Sequence, residues 1–247
     1  MNSTGGTAPP GASDERQAAA WVRAMFGRVA GRYDFLNHLL SANLDRLWRR
    51  RTVRRLGPWL SRPDSVVMDL CCGTGDLLLA LQARHAGVVF GCDFCHPMLV
   101  EARRKLARRR KPSALIEADA LQLPVRSATL DLVTAAFGFR NLTNYEAGLR
   151  EMHRVLRPGG AAAILEFSQP PNRIFRRLYE IYSRRILPRI GGWVSGSREA
   201  YQYLPDSVRR FPGAEELAGQ MRRAGFTAVE FERFSGGIVA LHIGRKP

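Results

Sequence analysis

The sequence predicts a layered α/β domain with a mostly parallel sheet and an antiparallel last strand, and three observations carry that prediction. The stretch Val66-Val67-Met68-Asp69-Leu70-Cys71-Cys72-Gly73-Thr74-Gly75-Asp76 reads as strand, tight turn and helix start. Five strand–helix alternations succeed one another with no internal repeat or low-complexity block between them. Gly236-Gly237 then separates two final strands, 226–234 and 238–243, as a hairpin turn would, so the last strand runs against its neighbour.

A chain of 247 residues can build one large domain with a full core, here expected over residues 14–247. No apolar run approaches the length needed to cross a bilayer. Residues 1–13 are small and polar with no hydrophobic signal core, and are expected to form a disordered tail on a cytoplasmic protein. The net charge of +16 suits nucleic acid or an anionic membrane surface. Yet Lys105, Lys111 and Lys246 are the only lysines among the 38 basic residues, a skew that an arginine-favouring base composition also explains. Cys71, Cys72, Cys92 and Cys95 include one C-x-x-C pair, but adjacent residues at a strand end point to opposite faces and no histidine is spaced to complete a metal site. Reduced cysteines in or near the core are expected, and no metal.

In chain order, residues 14–62 read as a helical flank. Ala18, Trp21, Val22 and Met25 recur at helical spacing from Asp14 to Arg28, and that apolar face must cover something. The opening turn follows. Its glycines let the backbone bend sharply and let a ligand lie against the peptide planes near the first amides of the next helix. A dinucleotide fingerprint wants a third glycine where Leu78 stands, and a P-loop wants a longer spacing closed by Lys-Ser or Lys-Thr. Asp76, directly after the turn, would repel a pyrophosphate and suit a ligand with positive charge. S-adenosylmethionine, with a sulfonium, an amino group, a ribose and no phosphate, fits that description.

The second strand ends in Asp93, about 20 residues after Gly73, where a carboxylate can accept both ribose hydroxyls. The competing role for Asp93 is to cap the helix that begins near His96-Pro97. A third strand, 114–117, leads to Asp119 and Ala120, an acid for the adenine amine and an amide for its ring edge. A fourth, 130–136, opens into Phe137-Gly138-Phe139-Arg140-Asn141, at the carboxyl end of the sheet where ligands bind. Asn144 caps a helix to Leu156, Pro158-Gly159-Gly160 stops it, and 161–167 is the fifth strand. Residues 172–211 form a helical insertion before the sixth strand. Phe175, Leu178, Tyr179, Tyr182 and Ile186 repeat at helical spacing among Arg176, Arg177, Arg184 and Arg185, a stripe that fits core, a pocket wall or a bilayer surface. Gly- and aromatic-rich residues 190–205 have the composition of a cover over a site.

These residues resemble a class I, Rossmann-like S-adenosylmethionine-dependent methyltransferase. More specifically, Tyr33-Asp34-Phe35-Leu36-Asn37, Leu40-Ser41 and Arg46-Leu47-Trp48, with Arg154 through Gly160 and Glu166-Phe167-Ser168, are similar to the two signatures of the quinone-biosynthesis C-methyltransferases. The similarity runs from Met25 to Gly244. Asn43 and Asp45 stand where the family usually has glycine and histidine, and Cys95-His96-Pro97 replaces a more usual serine-containing segment.

The resemblance implies methyl transfer to a ring carbon of a prenylated quinol, demethylmenaquinol for preference, with a methoxy-polyprenyl-benzoquinol of ubiquinone biosynthesis as the alternative. The expected cofactor-binding set is Asp69, Gly73, Thr74, Gly75, Asp93, Asp119 and Ala120, and the expected catalytic set is Arg140, Asn141 and Tyr33. Arg140 would stabilise a phenolate or order a water, with Asn141 and Tyr33 orienting the oxygens. The prenyl tail implies work at the inner membrane face, through the stripe and arginines after Phe175. A homodimer is left open. A nucleic-acid methyltransferase would carry an Asn/Asp-Pro-Pro-aromatic motif after the fourth strand or a Pro-Cys pair, and the sequence has neither. Retention of Arg140, Asn141 and Tyr33 speaks against a non-catalytic scaffold.

Overall fold

The computed structural model describes residues 5–182 and 198–247. The flank is four helices, α1 (Glu15–Val29), α2 (Tyr33–Leu40), α3 (Leu44–Arg55) and α4 (Gly57–Leu60). Asp14 caps α1 by accepting from the Gln17 N–H at 2.8 Å, and α1 buries Ala18, Val22 and Met25, the face its spacing marks out. Asn43 precedes α3 at φ 61°, ψ 9°, the left-handed conformation a glycine would take at no cost and asparagine tolerates better than other side chains. The turn therefore keeps its geometry without the family's glycine.

The core alternation is β1 (Val66–Leu70), α5 (Asp76–Gln82), β2 (Val88–Asp93), α6 (His96–Arg108), β3 (Leu115–Glu117), β4 (Leu130–Ala136), α7 (Tyr145–Val155) and β5 (Leu156–Phe167). After it come α8 (Arg173–Ile181), α9 (Arg198–Arg210), α10 (Ala214–Arg223), β6 (Thr227–Phe234) and β7 (Val239–Arg245). The sheet order is β3-β2-β1-β4-β5-β7-β6, with β7 antiparallel to both neighbours and the other pairings parallel. Near-continuous apolar strands are what a sheet covered on both faces requires, and Leu130 through Ala135 are all buried, Asp131 and Thr134 among them. Buried Asp131 accepts from the Val66 N–H at 2.8 Å, from Arg62 at 2.9 Å and from Arg157 at 3.0 Å, and so pins the end of the flank to the sheet.

One local expectation differs. Pro158-Gly159-Gly160 does not separate helix from strand: β5 already begins at Leu156, paired with Leu130, and the Pro-Gly-Gly residues bulge outward before Ala161 resumes opposite Leu132. Close helix–strand packing without a third glycine in the turn is achieved from the strand side. A Cβ on Gly91 of β2 would lie 3.1 Å from Leu78 Cδ2 and 2.8 Å from Cys72 Sγ, so the missing side chain on β2 makes room for the leucine on α5.

The expectation of a disordered N-terminal tail is corrected for residues 5–9. Thr7 and Pro9 are buried, the Thr7 N–H donates to Leu142 O and the Tyr145 N–H to Gly5 O, both at 2.8 Å. Small residues permit this contact: a Cβ on Gly6 would fall 1.9 Å from Thr143 O. Met1 to Thr4 lie outside the described residues, as do Arg184, Arg185, Ile186 and the Gly-rich stretch 190–196 read as part of a cover.

Candidate active site

The carboxyl ends of β1, β2 and β4 and the turn after β3 surround a cleft of about 990 Å³, open solvent included, whose wall is completed by Ala19 and Phe26 of α1, Tyr33 of α2, Arg49 of α3 and Met98 of α6. The turn after β1 forms its floor. Gly73 and Gly75 take φ 53° and 85°, and Cys71 is itself at 53°. A Cβ on Gly73 would meet no atom within 4 Å, so the space above it is open for a ligand. Gly138, on the loop after β4, is needed for another reason: its Cβ would stand 2.4 Å from that of Cys71, where the two loops touch.

Each predicted cofactor residue has a definite place. Asp93 is buried and accepts the Gly73 N–H (2.8 Å) on one oxygen and the Cys95 N–H (2.9 Å) on the other. It therefore ties the glycine turn to the backbone just ahead of α6 while still lining the cavity, and it gives α6 no side-chain cap, so the capping role is not the one it takes. Burial pushes its carboxyl up to about 6 against those donated bonds. Asp119 is exposed, follows β3 rather than ending it, and accepts the Leu121 N–H at 2.9 Å, which shapes the turn that presents Ala120. Thr74 is buried, donates to Asp34 and receives Lys105 Nζ at 3.2 Å, so its hydroxyl ties the turn to α2 and α6.

Asp69, near the end of β1, is almost wholly buried. One of its oxygens accepts the Thr134 hydroxyl at 2.8 Å, and the other makes no hydrogen bond within 3.5 Å among the described residues, although the Leu78 N–H lies near enough to favour its charge; the residue lines the cavity. Burial raises its carboxyl to about 7, moderated by the Thr134 bond. A buried carboxylate oxygen short of a hydrogen bond is costly, and an ammonium group in the cavity would supply one.

Asp76 corrects an expectation. It does not offer a free charge to a ligand: Lys105 Nζ lies 2.7 Å from Oδ1, with His38 and Arg49 3.8 and 3.9 Å from Oδ2, and this cationic setting offsets burial and holds its pKa low. His38, Asp45 and Asp76 are close enough together to suggest a metal by distance alone, but Arg49 and Lys105 already pair with these acids.

A second cleft, of about 1190 Å³ with open solvent included, lies beside the first; Tyr33, Arg49 and Phe137 line both. Its walls are mostly apolar and aromatic, Trp48, Phe137, Phe167, Tyr179 and Tyr182 among them, with Arg140 and Arg49 as buried cations. Arg140 is not a free charge. Its guanidinium meets Glu166 at 3.0 and 3.3 Å, donates to Phe137 O and lies 5.4 Å from the Phe167 ring centre, while its Nε finds no partner among the described residues. Burial opposes the charge on both partners, yet Glu166, Tyr33 and Tyr203 together keep the Arg140 pKa raised. Asn141 falls in the first cavity, and its Oδ1 accepts from the Tyr203 hydroxyl at 3.0 Å, which leaves the amide nitrogen as the group presented to a ligand. Tyr33 bridges the cavities; burial raises its phenol pKa and the charges of Arg140 and Arg49 pull it back.

The sequence reading missed Glu166 as the partner of Arg140, Tyr203 as the anchor of Asn141, and Arg49. A buried arginine needs a buried acid, so the Glu166 at the end of the neighbouring strand was a usable signal. Tyr203 and Asn141 are 62 residues apart, and Arg49 reaches the Phe137 ring from the flank, so no local pattern announces either contact.

The cavity fits the methyl donor on the structure's own terms. An open glycine cradle, an acid at the end of β2 for a ribose, a buried acceptor on β1 for an ammonium and the absence of a phosphate motif define a class I S-adenosylmethionine-dependent methyltransferase. The ubiE/COQ5 methyltransferase family matches residues 12–246, and the chain belongs to it. It is 46% identical over 224 residues to a demethylmenaquinone methyltransferase of Thermus thermophilus, covering 90% of this chain and all of that one. It is 41% identical to the demethylmenaquinone methyltransferase of Deinococcus radiodurans, with 96% and 97% covered. To a ubiquinone/menaquinone biosynthesis C-methyltransferase of Cereibacter sphaeroides it is 39% identical, with 94% and 93% covered. Among solved structures, a possible histamine N-methyltransferase of Thermotoga maritima superposes with TM-score 0.64 at 18% identity over 91% of this chain and 99% of that one. The [4+2]-cyclase SpnF superposes at 0.61 with 19% identity over 80% and 81%. A cyclase on this architecture shows that the fold alone does not fix the chemistry.

The Asp69 geometry gives a pH prediction. In the free protein at pH 6 a carboxyl with pKa about 7 is mostly protonated, and an ammonium placed against it lowers that pKa. Binding of S-adenosylhomocysteine, which carries the same amino group, should therefore release up to ~0.9 proton at pH 6 and almost none at pH 8.5. Calorimetry in buffers of different ionisation enthalpy measures this, and Asp69→Asn should abolish the difference; equal release in that variant would refute the assignment.

Proposed function

We propose that this protein transfers a methyl group from S-adenosylmethionine to a ring carbon of a prenylated naphthoquinol, converting demethylmenaquinol to menaquinol. The observation that carries the reading is the mostly apolar, aromatic cavity with the buried Arg140–Glu166 pair at its wall, abutting the cofactor cavity at Tyr33 and Phe137. Full-length relatives named demethylmenaquinone methyltransferase support naphthoquinol as the substrate.

When bound, the donor supplies an electrophilic methyl on a sulfonium. Asp93, with Asp119 and Ala120, would hold the nucleoside, and Gly73 leaves its backbone open to the ligand. The remaining task is to make the ring carbon nucleophilic and to align it. Arg140 would donate to the quinol oxygen and lower the pKa of its hydroxyl, so that the phenolate forms near neutral pH and pushes electron density onto the ring. Glu166 keeps the guanidinium oriented and charged. Tyr33 and the amide nitrogen of Asn141 would orient ligand oxygens between the cavities. The new bond joins methyl to ring carbon as the sulfur–methyl bond breaks, and the ring hydrogen leaves as a proton that restores aromaticity.

The substrate's tail suggests docking on a membrane. Phe35 and Leu39 of α2, Leu44 and Leu47 of α3, and Ile174, Leu178 and Ile181 of α8 are exposed, on the helices that also line the second cavity. Exposed Arg46, Arg50, Arg173 and Arg177 accompany them, the composition that an anionic bilayer attracts. Within residues 172–211, the described helices α8 and α9 would then form part of the substrate cover. Ile174→Glu with Leu178→Glu should lower affinity for phosphatidylglycerol vesicles at least ~10-fold while leaving turnover of a short-chain soluble naphthoquinol within about twofold. Unchanged vesicle sedimentation would remove this surface from the account.

Substrate choice is tested by presenting the purified enzyme with demethylmenaquinol and the methoxy-polyprenyl-benzoquinol in competition. The expected kcat/KM favours the naphthoquinol; a preference for the benzoquinol would assign the chain to the ubiquinone branch.

A further inference from the structure

The chemistry above gives residues 5–9 no part, yet they pack as a strap against the loop that carries Arg140 and Asn141. The Thr7 N–H donates to Leu142 O, and Gly5 O accepts the Tyr145 N–H. Tyr145 in turn donates its hydroxyl to Arg140 O at 2.9 Å. Leu142 and Thr143, both against the strap, line the first cavity. From the other side Arg210, the last residue of α9, donates to Ala8 O. The strap therefore joins the loop after β4 to α9.

Thr7 is the one polar side chain among residues 5–9, and it is buried with its hydroxyl 2.7 Å from that of Tyr203. Tyr203, on α9, is buried as well and packs on Trp21 of α1 with ring centres 5.1 Å apart. A phenol has one proton to give. With that proton donated to Asn141 Oδ1 at 3.0 Å, the phenol oxygen can only accept from Thr7, so the threonine hydroxyl is the donor. Thr7, Tyr203 and Asn141 then form a hydrogen-bond chain of one sense, in which the first donation polarises the second. The sense of the chain decides which end of the Asn141 carboxamide faces the cavity. With Oδ1 engaged the NH2 group is presented; with Nδ2 engaged the carbonyl would be.

We propose that Thr7 is a positioning residue of the methyl-transfer site: from the strap it fixes the donor sense of the Tyr203 hydroxyl and so holds Asn141 with its NH2 group toward the ligand. The inference rests on the proposed role of Asn141 in orienting a ligand oxygen.

The test measures kcat/KM for a short-chain soluble naphthoquinol on wild type, Thr7→Val, Asn141→Ala and the double variant. Valine keeps the shape of threonine without the hydroxyl. Thr7→Val should lower kcat/KM about 10-fold in the wild-type background and less than ~2-fold where Asn141 is already alanine. Thr7→Ser, which keeps the donor, should stay within about twofold of wild type. Gly6→Ala removes no member of the chain but would set a Cβ 1.9 Å from Thr143 O and unseat the strap, so it should match Thr7→Val, with the same dependence on Asn141. NMR of the free protein reads the chain without substrate: the Asn141 side-chain NH2 resonances should shift or broaden in Thr7→Val and Gly6→Ala and hold in Thr7→Ser. Equal fold losses in both Asn141 backgrounds, a serine variant as impaired as the valine one, or NH2 resonances unmoved in Thr7→Val overturns the proposal. A wild type that leaves the quinol unmethylated overturns the proposed function instead, and the NMR comparison then still decides the role of Thr7.

Discussion

Arg140→Met is expected to lower kcat/KM at least ~100-fold and to destabilise the protein by about 3–5 kcal/mol. Both effects have one origin, the ion pair with Glu166, whose partners are each almost completely buried. Removing the cation leaves a carboxylate in an apolar wall with only the backbone N–H groups of Arg140 and Phe167 to solvate it. Because a large loss of stability could by itself reduce activity, a second variant separates the effects. Arg140→Met with Glu166→Leu replaces the pair by apolar groups of similar volume, and such replacements are commonly neutral or stabilising. The double variant should recover most of the unfolding free energy and none of the turnover, while still binding S-adenosylhomocysteine within a few-fold of wild type. If activity returns with stability, Arg140 is a structural residue and the phenolate assignment fails.

Asp93→Ala should weaken S-adenosylhomocysteine binding by two to three orders of magnitude, on the order of 3–4 kcal/mol, without abolishing the fold. The side chain serves three groups together: the Gly73 and Cys95 N–H donors and, in the account given, the ribose hydroxyls. Asp93→Asn is the informative companion. An amide offers one acceptor oxygen where the carboxylate offers two, so one of the N–H donors must face an NH2 group, and the glycine turn loosens even before ligand is added. The asparagine variant should therefore fall between wild type and alanine in affinity. It should also show faster amide exchange at Gly73 or Cys95 in the free protein. Wild-type affinity in Asp93→Asn would mean that the ribose contact lies elsewhere.

Much of this fold is legible because strand–helix alternation writes itself locally. β4 and α7 sit within a residue of their expected bounds, since a short apolar run and an asparagine cap fix them without tertiary help. The reversed β7 followed from Gly236-Gly237 for the same reason. What escaped depends on distant partners. Residues 5–9 look like a polar tail, yet Thr7 meets the Tyr203 hydroxyl at 2.7 Å, 196 positions away, and nothing in Gly-Gly-Thr-Ala-Pro foretells that contact. Asp76 looked like a free acid because its cations, Lys105, Arg49 and His38, come from α6, α3 and α2. The pattern extends to the candidate site. Residues at or just beyond strand ends, such as Asp69, Asp93 and Arg140, were singled out from the sheet's logic and line the cavities, whereas Arg49 and Tyr203 reach the candidate site from flanking helices and were not singled out.

The central claim is that the methyl group goes to a quinol ring carbon placed against the Arg140–Glu166 pair. It is tested most directly by incubating the purified enzyme with S-adenosylmethionine bearing a trideuterated methyl group and chemically reduced demethylmenaquinone, then locating the label by mass spectrometry and NMR. The account predicts that the intact trideuterated methyl appears on the ring carbon, that the oxidised quinone is not methylated, and that Arg140→Met with Glu166→Leu gives no product above background. Label on a quinol oxygen, methylation of the oxidised quinone at an equal rate, or full product from the double variant would contradict it.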